Sequence, residues 1–593
     1  MKKTLYIACL LACAVCAKAQ ESTTNDSTEI DRTVYVTRDF QPTVQSAGKI
    51  SMKPEIYQPQ ITLQKPKYSD FSSPLALDYS MNKLDFSVLN FRQPQPMGGY
   101  LQAGVGHENS LLLFNYRISD AVMQKKKRTT NDLILDIHAN HNAQWGYKAL
   151  SESGIGMDLA KQFMQTELYF GVNGGHTFFS RYGYYYDPDQ GALPEDRQRL
   201  SAIDSAFKQN IWTANAEIGV RSISSGEYQY QAQVGYETFG VPNQAIEHQI
   251  HTIGGFEWNR NSHHVGAIFD MRNRLYSVYD STLTPRANHR FHLEPYYAYE
   301  GNRWRIHAGV NLDFSAGRGR IVGISPNVWL EADIAKNWLF IYAEAKGDYA
   351  ANGVRGEFDE NRYISSTCLF NDSISSEYKP VDAEIGFNIR PYSSLLINIH
   401  AGYALELDKH VNVFQQIPGN SFGMFEHELM NAGCWRVGAN LHFHYRDILN
   451  MHIGGNYFIH QRMSLPFEVL SDGAFDANSM FDTPSWRVDI RIDGKINEKW
   501  SLYSDNHLMG GIWACRQTYS SSSVSPDLRD YHAEKLRSMF DLNLGVKYRI
   551  DKWFAVYAQL NNYLAWTPKM HYYSFYGYEA MGANCILGLS YSF

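Results

Sequence analysis

Long segments in which apolar and polar residues alternate one by one are the feature that most constrains how this chain folds. In CWRVGANLHFHYR (434–446), apolar and aromatic residues from Trp435 to Tyr445 alternate with a face that carries Arg436 and Arg446. SWRVDIRIDGKI (485–496) and FDLNLGVKYRI (540–550) repeat this pattern, with charged side chains on the polar face. A period of two residues is the period of a β-strand, so the sequence predicts an all-β fold.

The length of these segments and of their connections favours a transmembrane barrel over a soluble sandwich. The segments run for roughly 10 to 16 residues and have aromatic residues near their ends, as tilted membrane strands do. From Gln209 onward, short connections alternate with long ones, a sorting that is typical of outer-membrane barrels. The short connections are predicted at 224–227, 259–262, 300–303, 334–337, 391–394, 445–448, 496–499 and 550–553, and long ones at 351–376, 412–433, 462–484 and 518–533.

We therefore predict that residues 98–593 form a transmembrane antiparallel outer-membrane β-barrel. The alternating segments give about 22 strands, with a range of 18–22 depending on how those in 98–165 are merged. An even number of strands places both ends of the barrel in the periplasm. The aromatic content of 14%, which includes 40 tyrosines, fits the two aromatic girdles of such a barrel.

The N-terminus predicts export. Lys2 and Lys3 precede the apolar run TLYIACLLACAVC, and small residues follow it, so residues 1–19 are expected to be a signal peptide. A lipoprotein signal that uses Cys13 is the alternative. Residues 20–97 are polar and then rich in proline, and we expect an extended leader or a reduced plug.

Within the leader, DRTVYVTR (31–38) has the form of a TonB box, an acidic residue followed by a β-prone run that ends in Val-Thr. Such a box binds its partner by adding a strand to an exposed sheet edge. The residues that carry the pattern are Asp31, Thr33, Val34, Val36 and Thr37.

Two longer stretches support a family resemblance. TVYVTRDFQPTVQSAGKISMKPEI (33–56) and GYLQAGVG (99–106) resemble Bacteroidota outer-membrane proteins that are often labelled TonB-dependent receptors. The resemblance implies a receptor barrel in the outer membrane of a Gram-negative bacterium, with TonB as a partner. Residues 39–97 are too few for the globular plug of such receptors, so either the plug is reduced or TonB is not involved.

The C-terminal segment NCILGLSYSF is predicted to be the strand that closes the barrel against the first strand near Tyr100. Its residues Gly588, Tyr591 and Phe593 also match the β-signal that the barrel-assembly machinery reads. We expect such a chain to have that machinery as its partner during insertion. Afterwards its expected partners are outer-membrane lipids and lipopolysaccharide.

The polar faces of the strands supply the candidate lumen lining. Their charged side chains form either an ion-pair lattice that braces the wall or a lining that selects anionic solutes. The residues are Arg436, Arg446, Arg487, Asp489, Arg491, Asp493, Asp541, Lys547 and Arg549. The pairs His263–His264 and His442/His444 have no third ligand at a suitable spacing, so neither a metal site nor another cofactor is predicted. No compact catalytic constellation is found, and the net charge of -7 argues against a nucleic-acid partner.

Two functions fit these features. The first is a channel or TonB-dependent-receptor-like transporter whose lumen is closed by the leader or by inward-folded loops. The second is a non-transporting barrel subunit of an outer-membrane assembly or secretion complex. In the transporter, the tyrosine-rich stretch 178–197 is either part of a girdle with an external loop or a site for a sugar-like ligand.

Overall fold

The structure is a computed structural model that describes most of the chain from Gly98 to Phe593. The described ranges are 98–119, 133–146, 148–163, 165–183, 208–223, 227–317, 319–335, 338–350, 353–370, 376–416, 423–446, 448–465, 468–470, 475, 478–519, 529–566, 571–580 and 582–593. The predicted signal peptide (1–19) and leader (20–97) lie outside them.

Alternating sequence becomes strand along almost the whole of this region. The strands are β1 (Gly98–Gly106), β2 (Asn109–Ser119), β3 (Leu133–Gln144), β4 (Leu150–Phe163), β5 (Thr166–Ser180), β6 (Lys208–Ser222), β7 (Tyr228–Val241), β8 (Ala245–Arg260), β9 (His263–Val278), β10 (Asn288–Glu300), β11 (Trp304–Ala316), β12 (Val322–Ala335), β13 (Leu339–Ala350), β14 (Glu377–Tyr392), β15 (Leu395–Gln416), β16 (Gly423–Tyr445), β17 (Leu449–Ser464), β18 (Val469–Leu470), β19 (Trp486–Lys495), β20 (Trp500–Gly510), β21 (Trp513–Tyr519), β22 (Arg529–Lys535), β23 (Met539–Arg549), β24 (Phe554–Asn561), β25 (Tyr573–Phe575), β26 (Tyr578–Glu579) and β27 (Asn584–Ser592).

Two short helices, α1 (Val354–Glu360) and α2 (Ser366–Phe370), lie in the connection between β13 and β14. Within the described residues, no helix has the length and the apolar character that crossing a membrane requires.

Twenty-two of the strands form one closed antiparallel ring, which confirms the predicted barrel. In the ring β1 to β17 follow one another and are continued by β19, β20, β23, β24 and β27. The ring closes where β27 pairs with β1, from Tyr100 opposite Ser592 to Gly106 opposite Ile586. The predicted closing strand is therefore correct, and the two strands at the ends of the ring leave no unpaired edge.

The two ends of the barrel differ in their connections. Both Gly98 and Phe593 lie at one end, where most connections are short, such as 164–165, 261–262 and 393–394. We call this the turn end. At the opposite loop end the connections include 181–207, 351–376, 465–485, 511–538 and 562–583. The predicted alternation of short and long connections is thus present.

One predicted connection is wrong. The region 412–433 was expected to be a long loop, but β15 continues to Gln416 and β16 begins at Gly423. The three consecutive polar residues at 426–428 interrupt the apolar alternation there. The strands persist because both faces of this hairpin are buried by other parts of the chain, as the burial of Val411 and Phe414 shows.

The outward face of the ring is apolar. Val105, Ile155, Val437 and Leu587 are each more than half exposed on it. Exposed aromatic side chains mark the two ends of this surface. At the turn end they include Tyr228, Trp304, Trp338, Tyr392, Trp500 and Trp553, and at the loop end Trp145, Tyr279 and Trp566.

The seam between β1 and β27 is packed around Tyr557 of β24. Its ring lies over Gly104 and Gly588, where a Cβ atom would overlap the ring. At Gly588 a Cβ would also overlap the Ala103 carbonyl oxygen. Glycine is required here because the ring and the backbone of the neighbouring strand already occupy the space.

We expect Gly588→Ala to destabilise the barrel by about 1–3 kcal/mol, because overpacking a tight site forces backbone and ring to move. The measurement is the urea midpoint of the refolded protein in detergent, with heat-dependent gel mobility as the measure of folding. Gly455→Ala is the matched control, since its Cβ would meet only Val488 at 3.9 Å. If Gly588 served only for recognition by the assembly machinery, refolding in detergent would be unchanged.

Candidate functional site

Charged side chains on the inner face of the wall pair with one another. Arg436 of β16 is almost completely buried. Its Nη1 donates to Asp382 Oδ1 (2.6 Å), and its Nε donates to Glu384 Oε2 (2.9 Å). Its neighbours Trp435 and Val437 are exposed on the outer face. The carboxylates of β14 therefore hold Arg436 within an ion-pair lattice.

The candidate residues of β19 are paired along their own strand. Arg487 Nε donates to Asp489 Oδ2 (2.8 Å), and Asp489 Oδ1 lies 2.7 Å from Nδ1 of His507 on β20. Nearer the turn end, Arg491 and Asp493 pair at 3.2 Å and are both substantially exposed. These four residues thus neutralise one another in part.

The other candidates lie on β23 or beyond β16. Asp541 is opposite His507 in the register and accepts a hydrogen bond from Asn543 Nδ2 (3.1 Å). Lys547 and Arg549 follow on β23 towards the turn end. Arg446 comes after β16, in a turn with φ +48°, and its guanidinium lies over the ring of Tyr445. Arg446 was counted with the polar strand face and also falls in the predicted short connection 445–448; the structure puts it in that connection because β16 ends at Tyr445.

Of the candidates near the two ends of the sequence, only those at the C-terminal end lie within the described residues. Asp31, Thr33, Val34, Val36 and Thr37 lie outside the described residues. Gly588 and Tyr591 belong to β27, and the backbone of Phe593 pairs with Gly99 in both directions, at 2.6 and 2.9 Å. The aromatic ring of Phe593 stacks on those of Tyr116 and Tyr591.

Residues 353–370, the crossing segment, connect opposite walls at the loop end. The ring of Phe358 packs against Phe179 of β5, with centroids 5.6 Å apart. Ser365 N donates to the carbonyl oxygen of Phe425 on β16 (2.9 Å). In the ring of 22 strands, β5 is the fifth and β16 the sixteenth, so they lie half the ring apart. The crossing segment therefore reaches across the interior.

One face of the crossing segment docks on the β15–β16 hairpin. Glu357, Asn361 and Ile364 are spaced by four and three residues, which aligns them on one side of α1 and its continuation. Their partners are His410 and His427 for Glu357, Asn412 for Asn361, and Phe425 for Ile364. These partners share one face of the hairpin, since Asn412 is opposite His427 and Phe414 is opposite Phe425.

The crossing segment contributes to a buried apolar cluster at the loop end, which we call the apolar cap. It unites the crossing segment, the connection after β24 and the ends of several strands. Among its members are Val354, Phe358 and Ile364, then Tyr572, Phe575 and Tyr578, and Phe179, Phe239, Phe414 and Phe425. Tyr363 stacks on Tyr578 with centroids 3.7 Å apart. Contacts of this kind give the cap the packing of a protein core.

One ion pair joins the connection after β24 to the connection between β3 and β4, and a histidine of the former connection contacts the same carboxylate. Lys148 Nζ lies 3.0 Å from Glu579 Oε2, and His571 Nδ1 lies 2.8 Å from Glu579 Oε1. Burial alone would raise the pKa of Glu579, but Lys148 and then His571 outweigh it and lower that pKa. Glu579 is consequently an ionised anchor of this part of the apolar cap.

A second inserted element is the hairpin β21–β22. Beyond Leu407, towards the loop end, the edge of β15 that faces β14 has no register partner on β14. At 413–415, β21 pairs with this edge in parallel. The hairpin buries Cys515 and Trp513 together with Val411 and Val413 of β15. The added strand thus pairs with part of an edge that β14 leaves open.

Glu357 is the buried carboxylate of the crossing segment. Its Oε1 lies 3.1 Å from His410 Nδ1, and its Oε2 lies 3.1 Å from His427 Nδ1. Burial raises the pKa of Glu357, but the two imidazoles outweigh burial and hold it well below its ordinary value. Sequence reasoning missed this group because His427 falls in the wrongly predicted loop and Glu357 in a different connection. Continued alternation through 410–413 was the one available signal.

The histidine pairs considered from the sequence do not converge with carboxylates in this way. His442 stacks on His452 with centroids 4.2 Å apart. His263 contacts Tyr297, while His264 faces Asn259 and, at 3.5 Å, Glu257. Within the described part of the chain, these pairs do not belong to a group of three or more metal-ligating side chains.

No protein-family model matches the chain, and no curated protein does. Solved structures do. The ferric enterobactin receptor PfeA of Pseudomonas aeruginosa, in complex with enterobactin, is 12% identical with a TM-score of 0.57, and the match covers 84% of this chain and 81% of PfeA. The ferric-catecholate import receptor Fiu of E. coli K12 is 10% identical with a TM-score of 0.57, covering 85% and 82%.

The ferripyoverdine receptor of the P. aeruginosa outer membrane is 11% identical with a TM-score of 0.57, covering 85% of this chain and 72% of the receptor. At such low identity the similarity shows a common fold. The barrel described above therefore has the architecture of these receptors.

Asp482, in the connection before β19, makes the loop end sensitive to pH. Burial raises the pKa of Asp482 to about 6, against opposing hydrogen bonds from Asn412. A carboxyl group whose pKa is higher in the folded state than its ordinary value of 3.8 destabilises the fold as pH rises through this interval.

We expect Asp482→Asn to raise the free energy of unfolding above pH 6 by on the order of 1–3 kcal/mol and to leave it unchanged below pH 4. Urea midpoints measured between pH 4 and pH 7.5 test this. Asp551→Asn is a control with the opposite expected sign. The backbone N–H groups of Phe554 and Trp553 lower the pKa of Asp551. Removing that charge should therefore lower the free energy of unfolding at neutral pH. Equal pH profiles for wild type and Asp482→Asn would contradict the assignment.

Proposed function

We propose that this protein is an outer-membrane transporter of the TonB-dependent-receptor type, whose lumen is closed at the loop end by the crossing segment and the apolar cap. The observation that carries the proposal is the docking of one segment on opposite walls, with Phe358 against Phe179 and Ser365 on Phe425. A connection that served only as a surface loop would have no reason to cross the interior.

The outer surface supports a membrane location. Its apolar side chains are exposed over the middle of the strands, and aromatic side chains mark both ends. A belt bounded by two aromatic girdles is the surface that a bilayer requires of a barrel. By analogy with barrels whose short turns are periplasmic, the turn end faces the periplasm and the loop end faces the outside.

The size of the ring makes closure necessary. Barrels of 16 to 22 strands enclose an aqueous channel unless something fills them. The paired charges around Arg436 and Asp489 give the inner wall a polar lining beneath the apolar cap. A large polar solute would therefore meet a compatible wall once the crossing segment has moved.

The structural neighbours suggest the solute class. Those named above are receptors for ferric enterobactin, ferric catecholates and ferripyoverdine. By analogy of fold, we propose that the solute of this chain is also a ferric chelate. The leader segment 31–38 would bind a periplasmic energy-transducing partner by strand addition.

Removing the crossing segment should open the pore. We expect the wild-type protein in a planar bilayer to be closed, and a variant with residues 354–369 replaced by a Gly-Ser linker to show large, steady conductance. Replacing the loop-end connection 317–321, whose described residues contribute nothing to the apolar cap, is the control. Closure that persists without the crossing segment, and ends only when residues 39–97 are removed, would contradict the role of the cap.

Energised uptake should depend on the backbone of the box-like segment. Proline at Val34 and Val36 removes the N–H groups that strand addition needs, so we expect uptake of ferric enterobactin by the native host to be lost while barrel folding is unchanged. Alanine at both positions keeps the donors and is the control. Uptake that survives both proline substitutions would exclude this coupling.

Purification in mild detergent separates transport from the accessory role. A barrel that serves a secretion or assembly complex would co-purify in fixed stoichiometry with other outer-membrane proteins, and its deletion would change no solute uptake. That pair of results would overturn the transporter assignment.

A further inference from the structure

The most unusual polar group of the described residues is buried where the crossing segment meets the wall. Glu357 is fully buried, and the side chains of His410 and His427 are each only 3% exposed. The two imidazole rings are nearly parallel, with centroids 4.9 Å apart and 22° between their planes. Glu377 adds a second carboxylate, whose Oε1 lies 3.7 Å from His410 Nδ1. An ionised carboxylate at such a depth needs a compensating positive charge.

The hydrogen bonds around Asn412 determine the tautomer of His427. The Asp482 carboxylate accepts from both the backbone N–H and the Nδ2 of Asn412, at 2.7 and 3.2 Å. The Oδ1 of Asn412 therefore points to the other side, where it accepts from Asn361 Nδ2 (2.8 Å). His427 Nε2 lies 3.2 Å from the same oxygen and must be the donor. In neutral His427 the lone pair is consequently on Nδ1, which faces Glu357.

A lone pair on His427 Nδ1 facing a carboxylate oxygen at 3.1 Å is repulsive unless a cation lies between them. A proton would give a hydrogen bond, but these contacts lack hydrogen-bond geometry. Within the described part of the chain, both oxygens of Glu357, both ring nitrogens of His410 and Nδ1 of His427 are buried without a hydrogen-bond partner. These buried polar atoms instead converge on one another, since one ligand atom of each of the three residues lies within 4.8 Å of the others.

Convergence at this spacing is the geometry of a coordination shell. Around a cation with bonds of about 2.1 Å, neighbouring ligand atoms lie roughly 3–3.4 Å apart. Both contacts of Glu357 are 3.1 Å, and one ligand atom from each of the three residues lies within 4.8 Å of the others. The bond from His427 Nε2 to Asn412 is the outer hydrogen bond that metal-binding histidines make with their second nitrogen.

We propose that Glu357, His410 and His427 bind a divalent transition-metal ion, with Zn²⁺ the best match, which fastens the crossing segment to the β15–β16 hairpin. Two imidazoles and one carboxylate suit Zn²⁺ and the metals near it better than Ca²⁺ or Mg²⁺, which prefer oxygen ligands. Glu357 comes from the crossing segment and both histidines from the wall, so the ion joins the two. This site is independent of whether the protein transports a solute.

Metal content is the first test. Tag-free protein, purified in detergent and dialysed against micromolar Zn²⁺, should hold about one Zn²⁺ per chain by mass spectrometry. Glu357→Gln and His427→Asn should each reduce this at least about tenfold, because losing even an outer-shell partner of a ligand costs about 10–100-fold in metal affinity. His442→Asn is the matched control, a histidine of the same strand that stacks on His452 with no part in the cluster. Equal zinc in Glu357→Gln, His427→Asn and the control would overturn the site.

The wild-type protein provides a test that no variant's folding can confound. After chelation, Co²⁺ should bind saturably, give ligand-field absorption of a four- or five-coordinate site, and be displaced by Zn²⁺. Zn²⁺ should also raise the melting temperature of the wild type and of His442→Asn, but not of a folded His427→Asn. Absence of a saturable Co²⁺ site, with unchanged melting in Zn²⁺, would show that protons alone neutralise Glu357 and would refute the proposal.

Discussion

Backbone hydrogen bonding between β27 and β1 is the interaction on which the rest of the structure depends. A strand that faces lipid cannot leave its N–H and C=O groups unpaired, so the ring must close completely. Closure places glycines where the two strands meet Tyr557 of β24, because only glycine leaves room for its ring at Gly104 and Gly588. The pairing register between neighbouring strands then determines which side chains of each strand face inward.

A ring of 22 strands has consequences for its interior. Charged side chains that face inward lose part of their hydration, and pairs such as Arg436 with Asp382 and Glu384 compensate for that loss within the wall. At the loop end the solution is different, since apolar residues of the crossing segment meet apolar strand ends and form a core. The barrel is thus polar along its middle and apolar where the inserted segments pack.

The tall β15–β16 hairpin links these two regions. Its strands of 22 and 23 residues are longer than the roughly 9–11 that a membrane crossing needs, so they continue to the level of the crossing segment. Because of this extra length, His410 and His427 lie at the loop end, where they face Glu357. The same hairpin edge pairs with β21 at 413–415. Before that point, the backbone N–H groups of His410 and Asn412 donate to the carboxylates of Glu377 and Asp482, so these polar residues still lie in regular strand.

The all-β class, the barrel, the strand number and the closing strand followed from the sequence alone, because side-chain alternation such as Trp435, Arg436 and Val437 is a local pattern imposed by a two-sided environment. The loop at 412–433 was mispredicted because burial of both faces of that hairpin comes from segments distant in sequence. Arg446 was counted with the strand face although it also falls in the predicted connection 445–448, because the alternating pattern alone does not determine at which residue a strand ends. The meeting of Glu357 with His410 and His427 was decided only in three dimensions, since it requires a connection from one part of the ring to cross the interior and dock on another, and no local spacing encodes that contact.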